Sequence, residues 1–186
     1  VSDLRFLMDQ GLDSAIKDSL AKGKTRVLGI CGGYQMLGSQ ILDPHHIEGG
    51  AGIRGLGLLP LNTSLHPDKT LRQSTALDLM WQSSLRGYEI RHGRTELMGH
   101  AKPWVRTEKE VIGHMDQQGR IMGSYLHGLF DLDVFRRRFL DHLRQAKGLQ
   151  ALATVTVFDL EPALDRLAEA VRNSVDMDFV HKSLGL

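Results

Sequence analysis

A cysteine set among glycines at the end of an apolar run is the first feature of this chain with chemistry in it. Cys31 stands in Gly29-Ile30-Cys31-Gly32-Gly33-Tyr34-Gln35, directly after Thr25-Arg26-Val27-Leu28. A short strand, then Gly-x-Cys-Gly-Gly, then a helix is the cysteine counterpart of the Gly-x-Ser-x-Gly nucleophile elbow. A sharp strand-to-helix turn forces the nucleophile into strained backbone geometry, so its neighbours must lack bulk. Gly29, Gly32 and Gly33 meet that need. The first N–H groups of the following helix then point at the sulfur, which lowers a thiol pKa from its reference near ~8.5 and supplies oxyanion donors. The donor expected here is the Gly32 N–H. The competing reading is an inert core cysteine beside a simple turn, and the glycine context weighs against it.

A cysteine nucleophile needs a base, and the chain offers nine histidines. His127 lies in Gly123-Ser124-Tyr125-Leu126-His127-Gly128-Leu129-Phe130, where an apolar strand ends and the chain turns on a glycine. Sites of open α/β sheets lie outside the carboxyl ends of strands, and both Cys31 and His127 fall at such ends. A capping histidine is the alternative for His127 alone; coupled to the Cys31 elbow, the catalytic reading leads.

The elements that must position these two residues follow from periodicity. Residues 3–20 read as helix, broken near Gly11, with Gly23 as a stop. Residues 25–30 suit a buried parallel strand, and a helix starts at Tyr34. Residues 43–60 are rich in glycine and read as a loop, with a strand at 56–61. Residues 86–97 form a strand or hairpin arm, and 110–115 and 119–125 are two strands around a Gln117-Gln118-Gly119 turn. Residues 133–147 are helical, with Val134, Phe135, Phe139, Leu140 and Leu143 on one face. Residues 161–175 form another helix, with Pro162 in its first turn. Strands alternating with helices argue for an α/β layer fold.

The 186 residues fit one domain. Hydrophobic residues make up 41% and charged residues 24%, ordinary for a globular chain, and the formal net charge is +1 with both signs interspersed. That balance makes no case for nucleic acid or an anionic membrane as partner. No apolar run approaches the roughly 20 residues of a membrane-spanning helix, and the start carries no signal-peptide pattern. The single cysteine excludes an internal disulfide and fits a reducing cytoplasm. The chain has no initiator Met and opens into a helix-like segment, so it reads as a fragment of something longer. His45-His46 with Glu48 could suggest a metal site, but adjacent histidines on a loop rarely converge on one ion and no further ligands sit at helical spacing, so no metal is expected. Arg136-Arg137-Arg138 reads as a solvated helix face.

The ordered motifs over residues 29–130 resemble the glutaminase domain of the cobyric acid synthases. The resemblance is carried by Gly29 to Gly38 around Cys31, and by Asp43-Pro44 with Glu48. Gly55-Leu56-Gly57-Leu58-Leu59-Pro60, Thr63 and Lys69-Thr70 add to it, with Gly87-Tyr88-Glu89-Ile90, Gly93-Arg94-Thr95 and Gly123 to Phe130. It implies a class I-type glutamine amidotransferase of flavodoxin-like fold with a mostly parallel sheet, here lacking its N-terminal strands. It spans residues 1–186, with catalytic motifs at 29–130 and a helical segment at 133–186. It further implies hydrolysis of L-glutamine by Cys31 and His127, with Gly32 and Gln35 at the bound glutamine. Ammonia would serve amidation of the b, d, e and g carboxylates of adenosylcobyrinic acid a,c-diamide in cobalamin biosynthesis. ATP and Mg would act on that corrinoid in a synthetase domain, since the chain holds no Gly-x-x-x-x-Gly-Lys-Ser/Thr motif and no cofactor is expected in it.

The chain departs from the pattern in places. Gly128 and Leu129 stand where triad amidotransferases carry Pro and Glu, which leaves a Cys–His dyad or another orienter such as Glu89. The family's His after Gly-Tyr-Glu-Ile is replaced by Arg91, followed by His92. The glutamine carboxylate needs a cation, for which Lys69, Arg91 and Arg94 are candidates. Two other readings are a glutaminase partnering a Mur ligase-like protein in peptidoglycan amidation, and a non-catalytic docking module.

Overall fold

The first two helices are short because glycine interrupts them. α1 (Ser2–Asp9) and α2 (Leu12–Ala21) are separated by Gly11 at φ 69°, and Gly23 at φ 77° turns the chain into the first strand. The structure is a computed structural model that describes residues 1–50, 52–152, 157 and 159–185. It divides into two compact units, Val1–Val155 and Thr156–Leu186, so the expected helical segment at 133–186 is split between them.

The first unit is built on one eight-stranded sheet. Its strands are β1 (Val27–Ile30), β2 (Gln40–Leu42), β3 (Gly52–Arg54), β4 (Leu61–Asp78), β5 (Ser83–Leu97), β6 (Lys102–Thr107), β7 (Val111–Met115) and β8 (Ile121–Ser124). Their order is β1-β8-β7-β6-β4-β2-β3, with β5 hydrogen-bonded along β4. β1 pairs parallel with β8 and β2 parallel with β4, while the other pairings are antiparallel. The α/β class therefore holds, but the sheet is mixed rather than mostly parallel. The long β4–β5 hairpin and the β6–β7–β8 meander supply the antiparallel part, because short turns join strands only in that sense.

β4 went unread because its inward positions at the turn end, Ser74 and Asp78, are polar, and Pro67 sits at a break in register between Leu65 and Thr70. The expected strand at 56–61 is mostly loop, with its residues hydrogen-bonded to the end of the next helix, α3 (Gly32–Leu37). β3 falls within the stretch expected as loop, and β2 and β6 lie where the sequence pattern assigns no element.

α4 (Asp133–Ala146) buries Phe135 and Phe139 as the period predicts, but Val134 and Leu140 are exposed. Its three arginines are not a merely solvated face. Arg136 pairs with Asp133, Arg137 with Asp141, and Arg138 donates to the Trp81 carbonyl and the Ser83 hydroxyl, both at 2.8 Å. Under the sheet, Trp104 is fully buried and gives its indole N–H to Asp78 at 2.8 Å, and the same carboxylate caps the N–H groups of Met80 and Trp81. The second unit holds α5 (Glu161–Ser174), with Pro162 in its first turn, and α6 (Met177–Leu184), capped by the Asp176 side chain on the Phe179 N–H.

Candidate active site

β1 delivers Cys31 into a strained turn. Cys31 has φ 53° and ψ −112°, a region that a residue with a Cβ occupies at a cost of about 1–3 kcal/mol. Its N–H donates to the Ser124 carbonyl at 2.9 Å, continuing the parallel pairing of β1 with β8 one residue past the strand. Of the three glycines expected to make room, only Gly29 is sterically required. A Cβ there would lie 2.5 Å from the Gly33 carbonyl oxygen, whereas one at Gly32 or Gly33 would meet nothing within 4 Å. Gly123, beside Gly29 on β8, is also needed, because a Cβ would sit 2.4 Å from the Tyr34 ring.

The sulfur is half-buried and donates to the Ile90 carbonyl on β5 at 3.3 Å. Burial pushes the thiol above its ordinary value; the Gly32 N–H and the Arg91 charge pull it down, and Glu48 pushes it up. The net shift is upward, which corrects the expectation of a lowered pKa. α3 offers one N–H to the sulfur, and desolvation outweighs it. Both the raised pKa and the Ile90 carbonyl, which would repel a thiolate, favour the thiol form.

His127 follows β8 by three residues and reaches the same stretch of β5. It exchanges both backbone hydrogen bonds with Tyr88, N–H to O at 2.8 and 3.3 Å, and the two rings stack with centroids 4.8 Å apart and planes 6° from parallel. Tyr88 holding His127 and Ile90 holding Cys31 are two residues apart along one strand, a span of roughly 7 Å. The imidazole Nε2 is buried with no hydrogen-bond partner among the described residues. A buried nitrogen left unpaired in this way is an acid–base position open to a group that arrives with the reaction.

The other expected residues fall as follows. Gln35 is buried, and its amide donates to the Tyr125 hydroxyl at 3.4 Å. Tyr125 in turn bonds Thr95 at 2.5 Å, and Thr95 bonds Thr63 at 2.7 Å, so a polar chain runs through the core from α3 to β4. Glu89 is fully buried and turned away from His127. It accepts from Arg72 Nε and Ser74 Oγ, each at 2.8 Å, and from Arg91 Nε at 3.2 Å. Burial would raise its carboxyl; the hydrogen bonds from Arg72 and Ser74, with the Arg72 and Arg91 charges, hold it below the usual carboxylate range. Glu89 is a structural strand carboxylate, not the orienter of the imidazole.

Among the three candidate cations, Arg91 is the one whose charge bears on Cys31. Its guanidinium lies 4.3 Å over the Tyr125 ring and donates to Gly93 O at 2.8 Å. Arg94 is exposed beside Asp68, and Lys69 is exposed. Arg91 and Arg94 share a polar cavity of about 270 Å³ with Tyr34, Tyr125 and Glu110. His92 is tied to the His66 carbonyl at 2.9 Å. Asp43 takes the N–H groups of Ile47 and Glu48 at 2.7 and 2.8 Å, so the Asp43-Pro44 motif shapes the loop that carries Glu48. No group of three His, Cys, Asp or Glu side chains that could hold a metal ion occurs among the described residues.

Sequence reasoning missed Tyr88. The period-2 alternation of Gly87-Tyr88-Glu89-Ile90 held the signal, since it puts Tyr88 and Glu89 on opposite faces of the strand.

Comparison with known proteins bears on the fold and the family. A solved structure titled as a glutamine amidotransferase shares the fold, with a TM-score of 0.59 at 16% identity over 75% of this chain and 71% of that one. The bifunctional adenosylcobalamin biosynthesis protein CobDQ of Leptospira interrogans is 44% identical over 100% of this chain and 22% of its own length. Cobyric acid synthases of Rhodobacter capsulatus and Geobacillus thermodenitrificans are 43% and 39% identical, over 94% and 99% of this chain. The chain spans 36% and 38% of those two relatives. Residues 1–135 match the model of the CobB/CobQ-like glutamine amidotransferase domain, and the chain belongs to that family.

Proposed function

We propose that this chain hydrolyses glutamine and supplies the ammonia to an ATP-dependent amidation of a corrinoid. The observation that carries the chemistry is Cys31 at φ 53°, held with His127 against one stretch of β5. The glutamine side-chain carbonyl enters beside Cys31, where the open space at Gly32 leaves room for it. His127 takes the thiol proton as sulfur attacks the amide carbon, and the Gly32 N–H, which already reaches the sulfur, donates to the developing oxyanion. The imidazolium then protonates the departing nitrogen, so ammonia leaves and a thioester remains. His127 next deprotonates a water that attacks the thioester, and returning that proton to sulfur frees glutamate.

Gln35 touches the glutamine from its place one turn beyond Cys31, and Arg91 is the favoured cation for the carboxylate. The corrinoid part of the reading rests on the relatives named for cobyric acid synthesis and adenosylcobalamin biosynthesis. The recipients would be the b, d, e and g carboxylates of adenosylcobyrinic acid a,c-diamide. The residues present do not fit ATP or magnesium: the P-loop motif does not occur and the donor sets of a metal site do not assemble among the described residues. Carboxylate activation therefore falls to the synthetase part that this family reading implies. A single cysteine favours a cytoplasmic setting, and no helix among the described residues is long and apolar enough to cross a membrane. No observation favours the Mur ligase-like partner or the docking module.

The test is glutamate release by the purified chain, with labelling by 6-diazo-5-oxo-norleucine mapped by mass. Cys31→Ser should abolish both. Full activity in that variant would overturn the mechanism.

A further inference from the structure

The glutaminase reading leaves His127 without the acidic residue that fixes the imidazole in a triad. Leu129 is buried and apolar, and Glu89 is committed to Arg72, Ser74 and Arg91. Asp131 lies beside Gly128 and makes no hydrogen bond to His127 among the described residues.

We propose, resting on that reading, that Tyr88 is the positioning residue for His127: its ring lies flat against the imidazole and sets the plane a carboxylate would otherwise set. Three features of the backbone serve this contact. Tyr88 and His127 form a hydrogen-bonded antiparallel pair, which puts their side chains on one face. Gly87 lets the strands close up, since a Cβ there would lie 1.9 Å from the His127 carbonyl oxygen. Gly128, at φ 77°, turns the chain away immediately after the histidine. Tyr88 is 46% exposed, so it is not a core residue whose contact with His127 is incidental to burial. Its hydroxyl has no hydrogen bond among the described residues, so the flat ring is the working part. A parallel offset at 4.8 Å is a favourable aromatic arrangement. It restrains rotation of the imidazole without taking up Nε2, which has no hydrogen-bond partner among the described residues. The motif Gly87-Tyr88-Glu89-Ile90 thereby handles both reacting side chains, Tyr88 through its ring and Ile90 through its carbonyl.

The experiment measures kcat and KM for glutamine hydrolysis in the wild type, Tyr88→Phe and Tyr88→Leu, alongside the His127 ring-proton NMR signals assigned with His127→Gln. Tyr88→Phe keeps the flat ring and should hold kcat within about twofold. Tyr88→Leu keeps bulk without the ring; kcat should fall roughly tenfold, or about 1.4 kcal/mol, with KM changed less than about threefold. The His127 ring protons should be shifted upfield in the wild type and Tyr88→Phe, and lose that shift in Tyr88→Leu. Undiminished kcat in Tyr88→Leu, or an equal fall in Tyr88→Phe, overturns the assignment. So does a wild-type imidazole without the upfield shift, which decides the matter even where Tyr88→Leu does not fold. A wild type that releases no glutamate overturns the glutaminase reading itself, whatever its NMR signals show.

Discussion

Replacing Cys31 with glycine should make the protein more stable than replacing it with alanine, against the usual order of those two residues. Both substitutions remove the sulfur and its bond to Ile90, so the pair isolates the backbone. At an ordinary position alanine is favoured by about 0.5–1 kcal/mol, because glycine has more conformational freedom to lose on folding. At φ 53° and ψ −112° a Cβ instead costs about 1–3 kcal/mol, which glycine releases. The two terms oppose each other, and the strain is the larger. Glycine should therefore lead by about 1 kcal/mol, or a melting temperature higher by roughly 2–4 °C for a unit of this size. Urea and thermal unfolding of the two variants, followed by far-UV circular dichroism, would measure the difference. A glycine variant less stable than alanine by the usual margin would show that the elbow stores no strain, and the nucleophile-turn argument would fail with it.

Other outcomes follow from the same geometry. Gly29→Ala should destabilise by about 2 kcal/mol or more in urea melts, because its Cβ meets backbone atoms that cannot yield, while Gly33→Ala stays within about 0.5 kcal/mol; equal losses would contradict the stated packing. Cys31 should be alkylated by iodoacetamide with a pH midpoint above the ~8.5 of a free thiol, since burial holds the proton on; a midpoint below neutrality would refute a protonated resting state. Glu89→Gln should lose about 2 kcal/mol near neutral pH. The folded Glu89 pKa lies below the unfolded value of about 4.3, so its stabilisation is present above that value and disappears as pH falls through the folded one. The gap between wild type and variant in thermal melts should narrow toward acid, and a gap constant with pH would exclude the ion-pair account.

What was legible in the sequence was whatever depends on neighbours along the chain. The Cys31 turn, the break at Gly11, β1, β7, β8 and α4 came from local periodicity and from glycine placement. What depends on a partner across the sheet was not legible. β4 carries polar residues inward because Arg72 and Ser74 serve Glu89, and Asp78 serves Trp104 from another strand. The thiol pKa differs from expectation for a related reason: the helix end is visible in sequence, whereas the burial of the sulfur is not. The bond of Gln35 to Tyr125, ninety positions later, was likewise out of reach of local pattern. Arg138 reads as solvated because its acceptors, Trp81 and Ser83, lie more than fifty residues away in the β4–β5 turn and at the start of β5.

The Ile90 carbonyl has a consequence for the durability of the protein. Oxidants such as peroxide react with thiolate and scarcely with thiol, so a cysteine kept protonated is slow to become sulfenic acid. By accepting the Cys31 S–H, the Ile90 carbonyl of β5 favours the thiol over the thiolate. Under the glutaminase reading, the one cysteine of the chain is then shielded from oxidation by the same strand that pairs with His127.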